Sequence, residues 1–197
     1  MSRWLTLVAE VDAGRVSVAA TRLNAASELR RRLLRLGERD HCSRTAPSWL
    51  EQHTNRRGNR DRLELTQSAD ARLGSHPAIQ LRALEYLEDG AKLIIWVNSE
   101  HRRGRLLDYG ISLCGLSRES GTRWYARMEL DAEQCGQGPC GHPVLHCHVG
   151  VDPDAEQEPK ARVPLPWLYP WDALDWLLAT VEPRLEPNTP GIGSPVG

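Results

Sequence analysis

The sequence predicts an α+β fold with N-terminal helices, a central mainly antiparallel sheet and a C-terminal helix packed on that sheet. Three observations predict it. Apolar residues recur at helical spacing before residue 40; apolar runs divided by turn residues fill the stretch from Ile79 to Val149; and a proline-started helical pattern follows at Pro170. A chain of 197 residues with 40% hydrophobic and 26% charged residues suits one domain with an ordinary core.

Residues 1–40 form the N-terminal helical part. Trp4, Leu5, Leu7, Val8 and Val11 predict a first helix, and after the Asp12-Ala13-Gly14 break Leu23, Ala26, Leu29, Leu33 and Leu36 predict a second. Gly37 suits the stop of the second, and Arg30, Arg31, Arg32 and Arg35 complement the dipole of its last turns. From 41 to 75 the pattern gives way to polar, Arg-rich sequence, including Asn55-Arg56-Arg57-Gly58-Asn59-Arg60, and a loop region is expected, with short ordered pieces around Trp49 and Leu63.

Residues 76–183 hold the sheet and the last helix. Ile79–Tyr86, Ala91–Val97, Leu106–Leu116, Arg123–Leu130 and Val144–Val149 read as strands, with Asp89-Gly90 as a hairpin signal between the first two. In the third run Leu107, Tyr109, Ile111 and Leu113 alternate with Asp108, Gly110, Ser112 and Cys114. In the fourth, Trp124, Ala126, Met128 and Leu130 share one face, and Tyr125, Arg127, Glu129 and Asp131 the other. Pro170 suits the first turn of the final helix, Leu174, Leu177, Leu178 and Val181 its buried stripe, and Pro183 its end. Trp167, Tyr169, Trp171 and Trp176 around it suit core packing, or a surface for stacking or docking. Residues 184–197, rich in Pro and Gly, read as a disordered tail.

Charge is balanced overall, at −1, but unevenly placed: residues 1–66 carry 13 Arg against 8 acidic residues, so a nucleic-acid face is expected in the N-terminal third. Five cysteines are odd in number, and Glu10 and Asp12 interrupt the apolar run after Trp4, so reduced thiols and a cytoplasmic location are expected. The longest apolar run, Leu93–Val97, is too short for a membrane span, and no membrane anchor is expected. GKS or GKT and GxSxG motifs are absent, which argues against nucleotide hydrolysis by a P-loop and against an elbow serine.

The densest chemistry lies in Cys135-Gly-Gln-Gly-Pro-Cys140-Gly-His142-Pro-Val-Leu-His146-Cys147-His148. Cys135, Cys140 and His142, with one further residue, offer the thiolate and imidazole ligands of a zinc clip, and the glycines between them permit a tight turn; unligated turn residues fit the same pattern. If Val144–Val149 is extended, His146 and His148 share one face and Cys147 turns to the core. Pairing with Arg123–Asp131 then sets Arg127, Glu129 and Asp131 beside the imidazoles, with Arg162 one loop later. Two imidazoles and neighbouring guanidinium groups suit metal-independent cleavage of RNA. In that expectation His146 and His148 exchange protons, Asp131 orients one ring, and Arg127 and Arg162 hold phosphate.

Residues 124–182 resemble small bacterial proteins known only as domains of unknown function, some encoded near toxin-antitoxin or phage-defence genes. The resemblance rests on Arg127-x-Glu129-x-Asp131, the HPxxHxH block of His142, Pro143, His146 and His148, the pair Arg162 and Pro164, and the final Pro-started helix. It implies a bacterial, defence-linked setting and no particular reaction. The expected function is therefore an RNase-like toxin or defence component acting on nucleic acid. The alternative is a non-enzymatic, zinc-stabilised module that docks another protein of the same operon.

Overall fold

The computed structural model describes residues 24–82, 90–116, 121–131, 145–151, 162–165 and 168–182. Helix α1 (Ala25–Glu38) is the second of the two expected helices; the first, and the expected tail, lie outside the described residues. Leu29, Leu33 and Leu36 are buried, and Glu28 in the first turn binds Arg31 and Arg32. Gly37 does not end the helix: Asp40, at φ 59°, takes the left-handed turn. The glycine is needed because a Cβ at Gly37 would stand 2.9 Å from the Cα of Arg44.

Nine strands follow: β1 (Leu50–Asn55), β2 (Arg60–Leu65), β3 (Ala71–Leu73), β4 (His76–Leu81), β5 (Ala91–Glu100), β6 (Leu106–Leu116), β7 (Arg123–Asp131), β8 (Leu145–Val151) and β9 (Arg162–Pro164). Their order is β1-β2-β5-β6-β7-β8-β9, and every described pairing is antiparallel. Strand β4 shares one side of β5 with β2, and β3 pairs β4. The ordered pieces expected around Trp49 and Leu63 are a short 3₁₀ helix (Ala46–Trp49) and β2, and the rest of the stretch 41–75, expected as loop, also contributes β1 and β3. Strand β1 escapes pattern reading because it is an edge whose side chains after Leu50 are all exposed, so main-chain pairing rather than apolar alternation defines it. As expected, β4 and β5 pair antiparallel, and Gly90 takes φ 73° ahead of β5.

One face of the sheet carries the core. Leu63, Leu93, Ile95, Val97, Tyr109, Ile111, Leu113, Ala126, Met128 and Leu130 pack under α1 and the C-terminal helix α2 (Pro170–Val181). Strand β6 departs from the expected alternation, because Asn98 pairs Asp108 whereas Ser99 pairs Leu106. The extra residue, Leu107, makes a bulge, so Leu106 rather than Leu107 enters the core. Helix α2 starts at Pro170 and buries Ala173, Leu174, Leu177 and Leu178. The Tyr109 hydroxyl donates to the Leu168 carbonyl at 3.1 Å, and Tyr169 stacks on Trp171 against the core. Trp176 is instead exposed. No described helix is long and apolar enough to cross a membrane.

Arg32 of α1 donates to Asp175 of α2 at 3.2 Å, with both side chains largely buried. Burial pushes the Asp175 carboxyl up, and Arg32 only partly opposes it. A raised folded value means that ionisation is disfavoured in the fold, so stability increases as pH falls through that value. The unfolding free energy of the wild type relative to Asp175→Asn, from urea titrations, should therefore rise as pH drops from neutrality towards 3.8, the ordinary value. A flat difference would show that burial is not the dominant cause.

The opposite face is organised by aromatic rings lying on glycines: Trp96 covers Gly110 and Tyr125 covers Gly150. A Cβ at Gly110 would fall 2.5 Å from the Trp96 indole nitrogen. Gly110→Ala should lower stability by about 1–3 kcal/mol in chemical denaturation and alter the near-ultraviolet Trp signal, because the ring must leave its strand.

Candidate metal centre

The site begins with the pairing of β7 and β8. The run Leu145-His-Cys-His-Val149 is extended, so odd and even residues face opposite ways. Leu145 and Cys147 enter the core, and His146 and His148 turn to the other face. The register sets His146 opposite Glu129 and His148 opposite Arg127. On the far side, β9 sets Pro164 opposite His146 and Arg162 opposite His148. The sheet thus brings His146, His148, Arg127 and Arg162 to neighbouring positions, as the alternation predicts.

The backbone of Asp131 lies at the end of β7, opposite Asp108, and Glu129 brings a carboxylate to the imidazoles. Cys135, Cys140 and His142 lie outside the described residues, and so does the zinc clip expected there.

Both imidazoles are buried, at 0% and 2% exposure. Their Nε2 atoms are 2.8 Å apart, and the Glu129 Oε2 is 3.7 Å from His146 Nε2 and 3.4 Å from His148 Nε2. Arg127 reaches the same oxygen at 3.1 Å, while its Nε and the His148 Nδ1 are buried with no hydrogen-bond partner among the described residues. Burial alone would raise the Glu129 carboxyl, but the hydrogen bond from His148 and the charges of Arg127, His148 and His146 outweigh it and hold the group below its ordinary value. The carboxylate is therefore ionised beside two imidazoles.

Two ring nitrogens at 2.8 Å require a proton or a cation between their lone pairs. A proton relay across a phosphodiester would need the scissile group between acid and base, and this separation leaves no room for it. Glu129, His146 and His148 together could hold a metal ion. Three atoms separated by 2.8, 3.4 and 3.7 Å lie on a circle of about 1.9 Å radius. A tetrahedral zinc ion with bonds of about 2.0–2.1 Å needs three ligand atoms on a circle of about that size. An octahedral ion at the same bond length needs a circle of about 1.7 Å and edges of about 2.9 Å, which the imidazole pair matches and the two carboxylate separations exceed. Two nitrogens with one carboxylate oxygen also suit zinc better than magnesium or calcium.

Glu129 was visible in the sequence as a neighbour of the histidines but not as a ligand. The signal that brings it to the histidines is the combination of His-x-His on one strand with Arg-x-Glu on the next: both alternate with period two, so correct pairing collects all four on one face. Comparison with protein-family models, curated proteins and solved structures finds no match for the chain.

The sulfur between the two histidines is on the core side. Cys147 and Cys42 are buried, and burial pushes both thiols up, Cys42 to about 11. Neither should react with a thiol-specific disulfide reagent at neutral pH until denaturant is added, as checked by mapping the labelled peptides by mass spectrometry. Fast labelling of Cys147 in the native protein would contradict its inward orientation.

Proposed function

We propose that Glu129, His146 and His148 bind one zinc ion and that this centre hydrolyses phosphodiesters of nucleic acid, the activity of an RNase-like toxin or defence component. The observation that carries the reading is the triangle of ligand atoms, sized for a tetrahedral metal with a fourth position left to water or substrate. Bound zinc would supply a hydroxide near neutral pH. Arg127, beside Glu129 and opposite His148, would bind a non-bridging phosphate oxygen, and Arg162, whose backbone pairs opposite His148 on its other side, would do the same. The role first given to the histidines as acid and base passes to ligation, and the phosphate-binding role of the arginines is retained.

The second reading is a non-enzymatic module in which the metal only stabilises the fold for docking to another protein. Burial of both imidazoles favours it, because structural sites are closed.

The test is elemental analysis of protein purified with zinc present, followed by assay on labelled single-stranded RNA before and after chelation. One zinc per chain is expected. It should be lost from His148→Ala and Glu129→Gln, whose affinity falls by more than about 100-fold, and kept by Cys140→Ser. RNA cleavage should vanish on chelation and return with zinc. Zinc bound at Glu129, His146 and His148 without cleavage would favour the docking module; zinc that follows Cys135 and Cys140 would move the site to the expected clip.

A further inference from the structure

Two hairpin turns far apart in sequence meet at one end of the sheet. Residues 56–59 join β1 to β2 and residues 101–105 join β5 to β6, and the pairing of β2 with β5 sets the turns side by side. Asn59, at φ 49°, joins them. Its carbonyl accepts from the His101 N–H at 2.9 Å, its Oδ1 from the Arg102 N–H at 3.2 Å, and its Nδ2 donates to Glu100 Oε1 at 2.9 Å. Beneath them the buried Asp61 carboxylate takes hydrogen bonds from Thr54 at 2.7 Å and His101 Nδ1 at 2.9 Å.

The joined turns carry Arg56, Arg57, Arg60, Arg102, Arg103 and Arg105, all exposed. Only Arg60 forms an ion pair, with Asp108 at 3.6 Å; the other five form none among the described residues. The nearby carboxylates are engaged in holding the turns together: Glu100 by Asn59, Asp61 by Thr54 and His101, Asp108 by Asn98 and Arg60. A chain of net charge −1 therefore concentrates unpaired guanidinium groups on one preorganised tip.

We propose that this tip binds the phosphate backbone of a single-stranded nucleic acid and leads it across the sheet towards Glu129, His146 and His148. The inference rests on reading that centre as one that acts on phosphodiesters, and it names the macromolecule and its path. Guanidinium groups bind phosphate oxygens two at a time. The turns have no apolar side chain to insert into a bilayer, which disfavours a lipid surface. Trp96 favours a strand with unpaired bases. It stands on the same face as the metal centre, its ring lies over Gly110, and Arg62 approaches that ring at 5.8 Å. Glu129 pairs with that same Gly110 on its other side, and His146 lies beyond Glu129. Trp96 is four residues from the Arg60–Glu100 pair, about 13 Å along the strand, and two strands, about 10 Å, from Glu129. A base stacked there lies between phosphates held at the tip and a phosphate at the centre.

The experiment measures fluorescence anisotropy of a labelled single-stranded RNA of about twenty nucleotides at several salt concentrations. It compares the wild type with the quadruple variant Arg56→Gln, Arg57→Gln, Arg102→Gln and Arg103→Gln. The wild type should bind with strong salt dependence. The variant should lose at least tenfold in affinity at low salt, and the slope of log affinity against log salt should fall by about three, at about 0.7 per phosphate contact. It should unfold at the wild-type temperature; if it does not fold, the matching four Arg→Lys changes, which keep the charge, should leave the slope unchanged. Equal affinity and slope in wild type and variant would overturn the proposal. So would binding to phosphatidylserine vesicles, polyglutamate or a duplex of the same length as tight as to the single strand. Chelated protein should still bind the RNA with the salt dependence that the tip confers, so a failed metal centre leaves this surface standing, whereas salt-dependent binding lost with the metal would overturn it.

Discussion

The register between β7 and β8 is the constraint on which the candidate site depends. Side chains alternate along a strand, so sliding β8 by one residue would turn His146 and His148 into the core and bring Cys147 out beside Glu129. The core prevents that slip. Leu145 and Cys147 are buried with Met128 and Leu130 beneath α2, and putting imidazoles there would leave polar nitrogens in an apolar layer. The apolar face thus sets the geometry of the polar face, and a buried cysteine between two histidines becomes part of how the histidines are aimed.

The same alternation gives the polar face its other features. Glycines at 110 and 150 let aromatic rings from the neighbouring strands lie flat on the sheet, so Trp96 and Tyr125 occupy defined positions rather than standing out from it. Glu129 lies where three positive or basic groups converge, and these overcome its burial and keep it ionised. An ionised carboxylate with two neighbouring imidazoles is a donor set that could hold a divalent cation. The arginine tip is built by a different principle. Its carboxylates are turned to joining the two hairpins, so of its six guanidinium groups only Arg60 forms an ion pair among the described residues.

Much of the sheet was legible because its central strands are amphipathic. The alternation of β7 and β8 foretold which residues share a face, including the inward turn of Cys147, and the proline at 170 foretold the start of α2. Edge strands were not legible, since β1 buries only Leu50 and offers no pattern. The bulge at Leu107 was hidden because both Leu106 and Leu107 are apolar and only the pairing tells which one is extra. Within the site, the histidines and Arg127 were visible. That Glu129 could join the histidines in holding a metal ion was not, because it depends on distances between atoms rather than on spacing in sequence. The arginine tip was missed for a related reason: residues 56–60 and 102–105 lie in separate loops, and only the pairing of β2 with β5 makes them one surface.

The central claim is that the metal ligands are two imidazoles and a carboxylate. Zinc-edge X-ray absorption of the zinc-loaded protein tests it most directly, because nitrogen and oxygen scatter at about 2.0–2.1 Å and thiolate sulfur at about 2.3 Å. The account predicts a first shell of light atoms only, with the outer-shell signature of two imidazole rings and no sulfur. A shell containing sulfur, or a protein that retains no zinc, would contradict it.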